Sequence, residues 1–395
     1  MPRDVMYDEE KDNTMLRDKV RFKPAVLGGA YHSSVGLGGT NVSSTQQPSK
    51  ILYVARNGDD TTGDGSFYKP YYTIGKAVTI ALATVTVSNP ILIQVYSAKG
   101  GSAYAESAPI QITAGGLSIA GIGDGQVKLN GTFTVDMAAN DTFNVSNIEI
   151  KCPSSVAFNA EPASIYVKNA TAQIITVNNC YLNSLSLSSR RCVYFINTTT
   201  VAKITIVDSL LETGDVTTSG IAIQMNSGNI DCFNCTIVDK YVFAGNNDGV
   251  SCSLNRLSIS NFYACYIVGR IGLEASAVVA TKASFYFGTY IDGGQYPAIA
   301  ISYVSQKVYI YDAVLLSNGG QVIGGTGTVY LGKVSNLNAT DFSVGIIKNY
   351  FLSDIKNRYL GNSFNWATSD PVSDNEAINR LADAVNILLG GTGIP

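Results

Sequence analysis

One short pattern recurs seven times between Asn147 and Leu315. It reads apolar residue, spacer, polar turn residue, small residue, spacer, aliphatic residue. The turn position holds Asn147, Asn179, Asp208, Asn234, Ala264, Gly288 and Asp312. Two residues earlier stand Val145, Val177, Ile206, Cys232, Phe262, Tyr286 and Ile310. One residue later stand Ile148, Cys180, Ser209, Cys235, Cys265, Thr289 and Ala313, and three later Ile150, Leu182, Leu211, Ile237, Ile267, Ile291 and Leu315. Successive turn positions lie 24–32 residues apart. Recurrence at such a period is the signature of stacked repeats.

Flanking residues alternate in polarity, as in Ile204-Thr205-Ile206-Val207 and Lys307-Val308-Tyr309-Ile310-Tyr311. Alternation of that kind marks half-buried strands. One repeat cannot bury its own apolar side, but stacked repeats can, with like residues piling into ladders about 4.8 Å apart. Asn, Asp and Gly suit the turn because they tolerate left-handed backbone. A β-sandwich would not keep four aligned columns at this period. The expected fold is all-β: a right-handed parallel β-helix over residues 50–335. An extended N-terminal arm (1–49), an N-terminal capping helix, and a C-terminal cap with a short association helix (336–395) complete it.

Composition fits. Only 14% of residues are charged, and the chain has 38 Gly and 23 Tyr. A net charge of −3 and the lack of a basic stripe leave no electrostatic footprint for nucleic acid. No apolar run approaches the ~18 residues of a membrane helix, and the charged Met1–Lys23 stretch is not a secretory signal. Of the seven Cys, three sit in the small-residue column, and Cys232 sits in the apolar one. They read as small core residues. Cys232-x-x-Cys235 lacks the second half of a zinc motif, so neither metal nor cofactor is expected.

Residues 1–24 carry six acidic and six basic side chains, and a Gly-, Ser- and Thr-rich connector follows to Gln47. Two readings stand for this stretch: a disordered tail, or an arm that orders against a partner. From Ile51 a strand runs into an Asp- and Gly-rich loop. A helix follows, with Thr73 as N-cap and Ile74, Ala77, Val78 and Leu82 on one face. Asp59, Asp60 and Asp64 suggest a calcium loop but lack its full ligand pattern, so a solvated turn is expected. Through Pro70, Thr73, Ile74 and Ala77, and through Ile91–Val95 and Ile119–Gly123, residues 50–335 resemble pectate-lyase-like β-helix proteins. That superfamily includes polysaccharide lyases, glycoside hydrolases and many phage tail spikes and fibres. The resemblance speaks to fold more than to function.

Past Leu331 the pattern fades into an aromatic stretch. Ser373 and Glu376 then form a capping box, and Ile378, Leu381, Val385 and Leu388 follow at heptad spacing, suited either to packing against the rod or to a three-chain bundle, of which self-association is favoured. Carbohydrate chemistry on such a fold needs carboxylates from neighbouring coils. The pairs available are Asp208 with Asp231, Glu212 with Asp239, and Glu274 with Asp292, with Arg190, Arg191, Arg256 and Arg270 as bases or clamps. None falls in a recognisable catalytic motif. The best-placed set is Glu274, Asp292 and Arg270. Tyr166, Tyr181, Tyr194, Tyr263 and Tyr290 are candidate flat surfaces for sugars.

The sequence thus points to a structural or receptor-binding virion component: a tail fibre, tail spike or capsid-attached fibre. Such a component would be a homotrimer, anchored to other virion proteins through residues 1–49 and contacting host-surface polysaccharide. Its location would be the virion, after assembly in the host cytoplasm. The alternative is a polysaccharide lyase or glycoside hydrolase on the same fold.

Overall fold

The structure is a computed structural model. It describes residues 48–349 apart from 99–100, 124–125, 154–162, 169–171, 185–190, 197–201, 214–219, 240–249, 256–258, 275–280, 295–296, 318–321, 336–341 and 344–345. Strand residues 250–255, 274, 332–335, 342–343 and 346–349 are described by backbone alone. The chain divides into Met1–Gln47 and Pro48–Pro395, and only the second unit contains described residues. Residues 1–47 of the expected arm, and the expected association residues Ile378, Leu381, Val385 and Leu388, lie outside them.

Each complete coil contributes three strands. The coil that starts at Thr142–Ser146 continues through Ile148–Lys151 to Ala163–Val167. First strands stack on first strands, from Lys50–Val54 through Ile91–Tyr96 and Leu117–Ile122 to Ile346–Asn349. Second strands stack likewise, and a tight turn joins the first two columns into one 20-stranded sheet. Third strands form a separate 10-stranded sheet, from Ile110–Ile112 to Phe342–Ser343. Every named pairing is parallel, as in Ile174–Asn178 on Lys203–Val207. The coils wind as a right-handed parallel β-helix, the hand that twisted parallel strands impose on their crossovers.

The core is the interior of the coils. The aliphatic column holds in register from Leu129 through Ile150, Leu182, Leu211, Ile237, Ile267 and Ile291 to Leu315, all fully buried. On the first sheet, Ile93, Ile119, Val145, Val177, Ile206, Cys232 and Phe262 stack in the same way. The third sheet adds Phe133, Ile165, Val193 and Ile223. Each fully buried aliphatic side chain contributes about 1.5–3 kcal/mol against exposure, so the interior, not the surface, holds the coils together.

The turn column is correct at five positions. Asn147, Asn179, Asp208, Asn234 and Ala264 have φ of 58°, 50°, 48°, 51° and 51°. Their amides link neighbouring coils: Asn179 Nδ2 donates to Asn147 Oδ1 at 2.8 Å, and Asn234 Nδ2 to Asp208 Oδ1 at 2.7 Å. The next two positions depart from the pattern. The expected single turn residue Gly288 is half of a two-residue turn, Phe287–Gly288, with φ of 55° and 72°. The extra residue shifts the count by one. Phe262 therefore pairs with Phe285, which is fully buried, while Tyr286 points outward beside Tyr263. Asp312 is not a turn at all, because one strand runs from Lys307 through Leu316. Pairing also continues to Asn349, beyond Leu331 where the sequence pattern fades.

The small-residue column has a chemical reason. Its hydroxyl or thiol donates to the carbonyl just before the turn: Ser209 Oγ to Val207 O at 2.7 Å, Cys235 Sγ to Phe233 O at 3.3 Å, and Thr289 Oγ1 to Tyr286 O at 2.8 Å. Cys, Ser and Thr are interchangeable in that role. Burial pushes the Cys180 thiol up to about 12 and holds Cys235 and Cys265 well above the ordinary thiol range.

At the N-terminal end the helix Ile74–Leu82 buries Ile74, Ala77, Val78 and Ala81. It packs against Lys50–Val54, Ile91–Tyr96 and Ile110–Ile112, covering strand edges that would otherwise invite pairing. Thr73 is the N-cap and accepts from Lys76 N at 3.2 Å. The acidic loop serves the backbone. Asp59 accepts from Thr61 N and Thr62 N, Asp64 from Ser66 N, and Asp60 from Tyr72 N and Thr73 N.

Glu106 Oε1 accepts from Ile74 N at 3.0 Å and Gly75 N at 3.1 Å. Burial outweighs these bonds and raises the Glu106 carboxyl above its ordinary value. The folded state therefore holds this proton more tightly than the unfolded state. The associated stability is present below the unfolded pKa and is lost as pH rises through the folded one. Glu106→Gln keeps the acceptor oxygen without the charge. It is expected to melt at or above the parent at pH 7, with the gap closing towards pH 4. Thermal melts across that range check this, and a gap that widens in acid would contradict it.

Candidate functional site

The carboxylates singled out from the sequence are occupied by structural partners wherever they are described. Asp208 receives Asn234, as above. Asp231 pairs with Lys203 Nζ at 3.0 Å and accepts from Asn261 Nδ2 at 2.7 Å. Glu212 accepts from the Tyr181 hydroxyl, which in turn accepts from Asn183 Nδ2 at 3.0 Å. Asp239 is buried and accepts from Gly220 N at 3.4 Å. Asp292 Oδ1 accepts from Gly294 N at 2.9 Å. Arg270 and Glu274 begin and end one strand of the third sheet. The Asp292 carbonyl accepts from Gly269 N at 2.7 Å, which brings Asp292 to the Arg270 end of that strand. The Glu274 side chain, Arg190 and Arg256 lie outside what is described. Arg191 bonds to Gln224 and lies 4.5 Å over the Tyr194 ring, and burial lowers its pKa. Among the described residues no group of three His, Cys, Asp or Glu side chains is placed to hold a metal.

The tyrosines are not the open platforms expected. Tyr166 and Tyr181 are buried, at 3% and 9% exposure. Tyr194 is half-buried, with Tyr166 at 5.4 Å edge-on and Arg191 on its face. Tyr290 stacks on Tyr266 at 4.9 Å. Tyr263 lies within a continuous outward ladder: Phe233–Tyr263 at 4.5 Å, Tyr263–Tyr286 at 4.7 Å and Tyr286–Tyr311 at 4.4 Å, with ring planes within 8°. A second outward row sets Tyr309 on Tyr330 at 4.5 Å and 3°. The two rows meet where Tyr309 and Tyr311 lie 6.3 Å apart on one strand.

In-register stacking decides what these rings can offer. Within the rows neighbouring rings cover one another's faces, and the outward edges of the tyrosines carry phenol hydroxyls. Burial pushes the Tyr263 hydroxyl up to about 12, which keeps it a neutral donor. Phe287 differs. It holds left-handed backbone, rare for a bulky residue, and its ring is 62% exposed beside Tyr263 and Tyr286, at 6.1 and 6.3 Å. Sequence reading picked out Tyr263 but not the rows to which it belongs. The signal was the position one before the repeat's turn column, which holds Phe233, Tyr263 and Tyr311 in later repeats.

Comparison with known proteins adds little beyond fold. No family model matches the chain, and no curated protein matches it. Among solved structures, pectin methylesterase PemA from Erwinia chrysanthemi is similar at 11% identity, over 81% of this chain and 98% of that one, with a TM-score of 0.33. The coils themselves define the fold: a helix-capped first strand, three strands per coil, and a left-handed residue closing the first corner. In architecture the chain is a right-handed parallel β-helix protein.

Proposed function

We propose that the chain is a structural, receptor-binding component of a virion, a tail fibre, spike or capsid-attached fibre whose β-helix is a rigid shaft that contacts host-surface glycan. The observation that carries this reading is the outward double row of aromatics on the later coils, over coils in which the candidate carboxylates Asp208, Asp231, Glu212, Asp239 and Asp292 bond to the chain's own backbone and side chains. Phenol edges donate to and accept from sugar hydroxyls. Residues 1–49 are the proposed anchor to other virion proteins, and Ile378, Leu381, Val385 and Leu388 the proposed seam of a homotrimer. The same reading places the chain in the virion and gives it no part in cleaving the glycan. Incubation of the full chain with host-surface polysaccharide is expected to give retention without new reducing ends or unsaturated uronides. Light scattering is expected to give three times the 41.9 kDa chain mass. Release of cleaved sugar would establish the lyase or hydrolase alternative instead.

A further inference from the structure

On the outer face of the first sheet, Lys282 and Lys307 occupy the same position on adjacent rungs. Rungs lie about 4.8 Å apart, and like charges placed directly opposite each other destabilise a sheet. Neither lysine makes an ion pair with a described carboxylate. Lys282 Nζ instead lies 4.6 Å over the Tyr309 ring, and Lys307 is exposed. The acidic residue of the same rows, Asp231, is already paired with Lys203 and hydrogen-bonded by Asn261. Asp312 stands at the far corner, beyond Tyr309 and Tyr311. Along one strand the order is therefore lysine, tyrosine, tyrosine, and the pair of positive charges borders the hydroxyl edges of the aromatic rows.

A ligand that satisfies this face carries negative charge at one edge and hydroxyls across the rest. Nucleic acid stacks its bases on free ring faces, whereas within these rows the faces are packed on neighbouring rings. We infer that this face binds an anionic polysaccharide, its carboxylate or sulfate groups on Lys282 and Lys307 and its hydroxyls on the Tyr309, Tyr311 and Tyr330 edges. This rests on the glycan-contact reading above and adds the charge class of the glycan.

The test is affinity electrophoresis of the full chain in gels containing alginate, heparin, neutral dextran or a single-stranded oligonucleotide. Alginate or heparin is expected to retard the chain, more strongly at low salt than at high salt, and dextran is not. The double variant Lys282→Glu/Lys307→Glu is expected to lose at least about tenfold in affinity for the polyanion with an unchanged melting temperature, while Lys128→Glu, in a second-column strand of an early coil, keeps it. Equal retardation by dextran, or a double variant that binds as before, overturns the anionic assignment and leaves glycan contact standing. Retardation by the oligonucleotide alone, or by none of the four, overturns both.

Discussion

Ile237→Asp is expected to unfold the coil stack. Ile237 is fully buried between Leu211 and Ile267 in the aliphatic column. Aspartate at that rung loses the burial of the aliphatic side chain and places a carboxylate among apolar neighbours with nothing to bond it. The combined loss is about 5 kcal/mol or more, comparable to the net stability of a whole domain. Ile237→Val, at the same rung, removes one methylene and is expected to cost about 0.5–1.5 kcal/mol. Thermal melts with size-exclusion profiles separate the two: aggregation or loss of the folded peak for the first, a modest shift for the second. An Asp variant that stays soluble and melts with the parent would mean that this rung does not face the interior.

Gly325→Val is expected to be nearly as damaging, for a backbone reason. Gly325 has φ of 123°, and a Cβ there would lie 1.7 Å from the Ile301 carbonyl oxygen of the coil below. The strained backbone costs about 1–3 kcal/mol, and the overlap forces the two coils apart. Gly288 is the control. Its φ is also positive, at 72°, but a Cβ there would meet nothing within 4 Å. Gly288→Ala is therefore expected to show only the left-handed penalty of about 1–2 kcal/mol. Melting temperatures of the two variants settle this, and equal losses would mean that contact with Ile301 is not what requires Gly325.

The interior was legible in the sequence wherever two demands coincided. Strands alternate with a period of two, and a left-handed corner accepts few residue types, so Asn147, Asn179, Asp208 and Asn234 could be aligned and the columns counted from them. The count failed where the corner changed length. With Phe287 and Gly288 both left-handed, counting from Gly288 placed Tyr286 inside, and only the pairing of Phe262 with Phe285 shows the shift. The third sheet was not legible, because its strands follow connections of variable length and hold no constant offset from the corner. Their trace was pairs of apolar residues two apart, such as Ile165 with Val167, Val193 with Phe195 and Ile223 with Met225.

The surface was read less well than the core. Exposure of a tyrosine depends on what stacks against it in the next coil, tens of residues away, so Tyr166 and Tyr181 passed as open platforms when they are buried. The acidic loop was correctly read as a turn. The partners of Asp60 and Glu106 at the helix start were not, because those contacts span 12 to 32 residues and have no local pattern.

Because each described coil pairs with the coil before it and the coil after it, in step apart from local irregularities such as the one at Val250–Cys252, the design is modular. Whole coils can be gained or lost in evolution without rewriting those that remain, provided the incoming segment supplies a residue of the right kind at each rung. Growth by fractions of a coil has no such route, since it would turn interior side chains into the solvent.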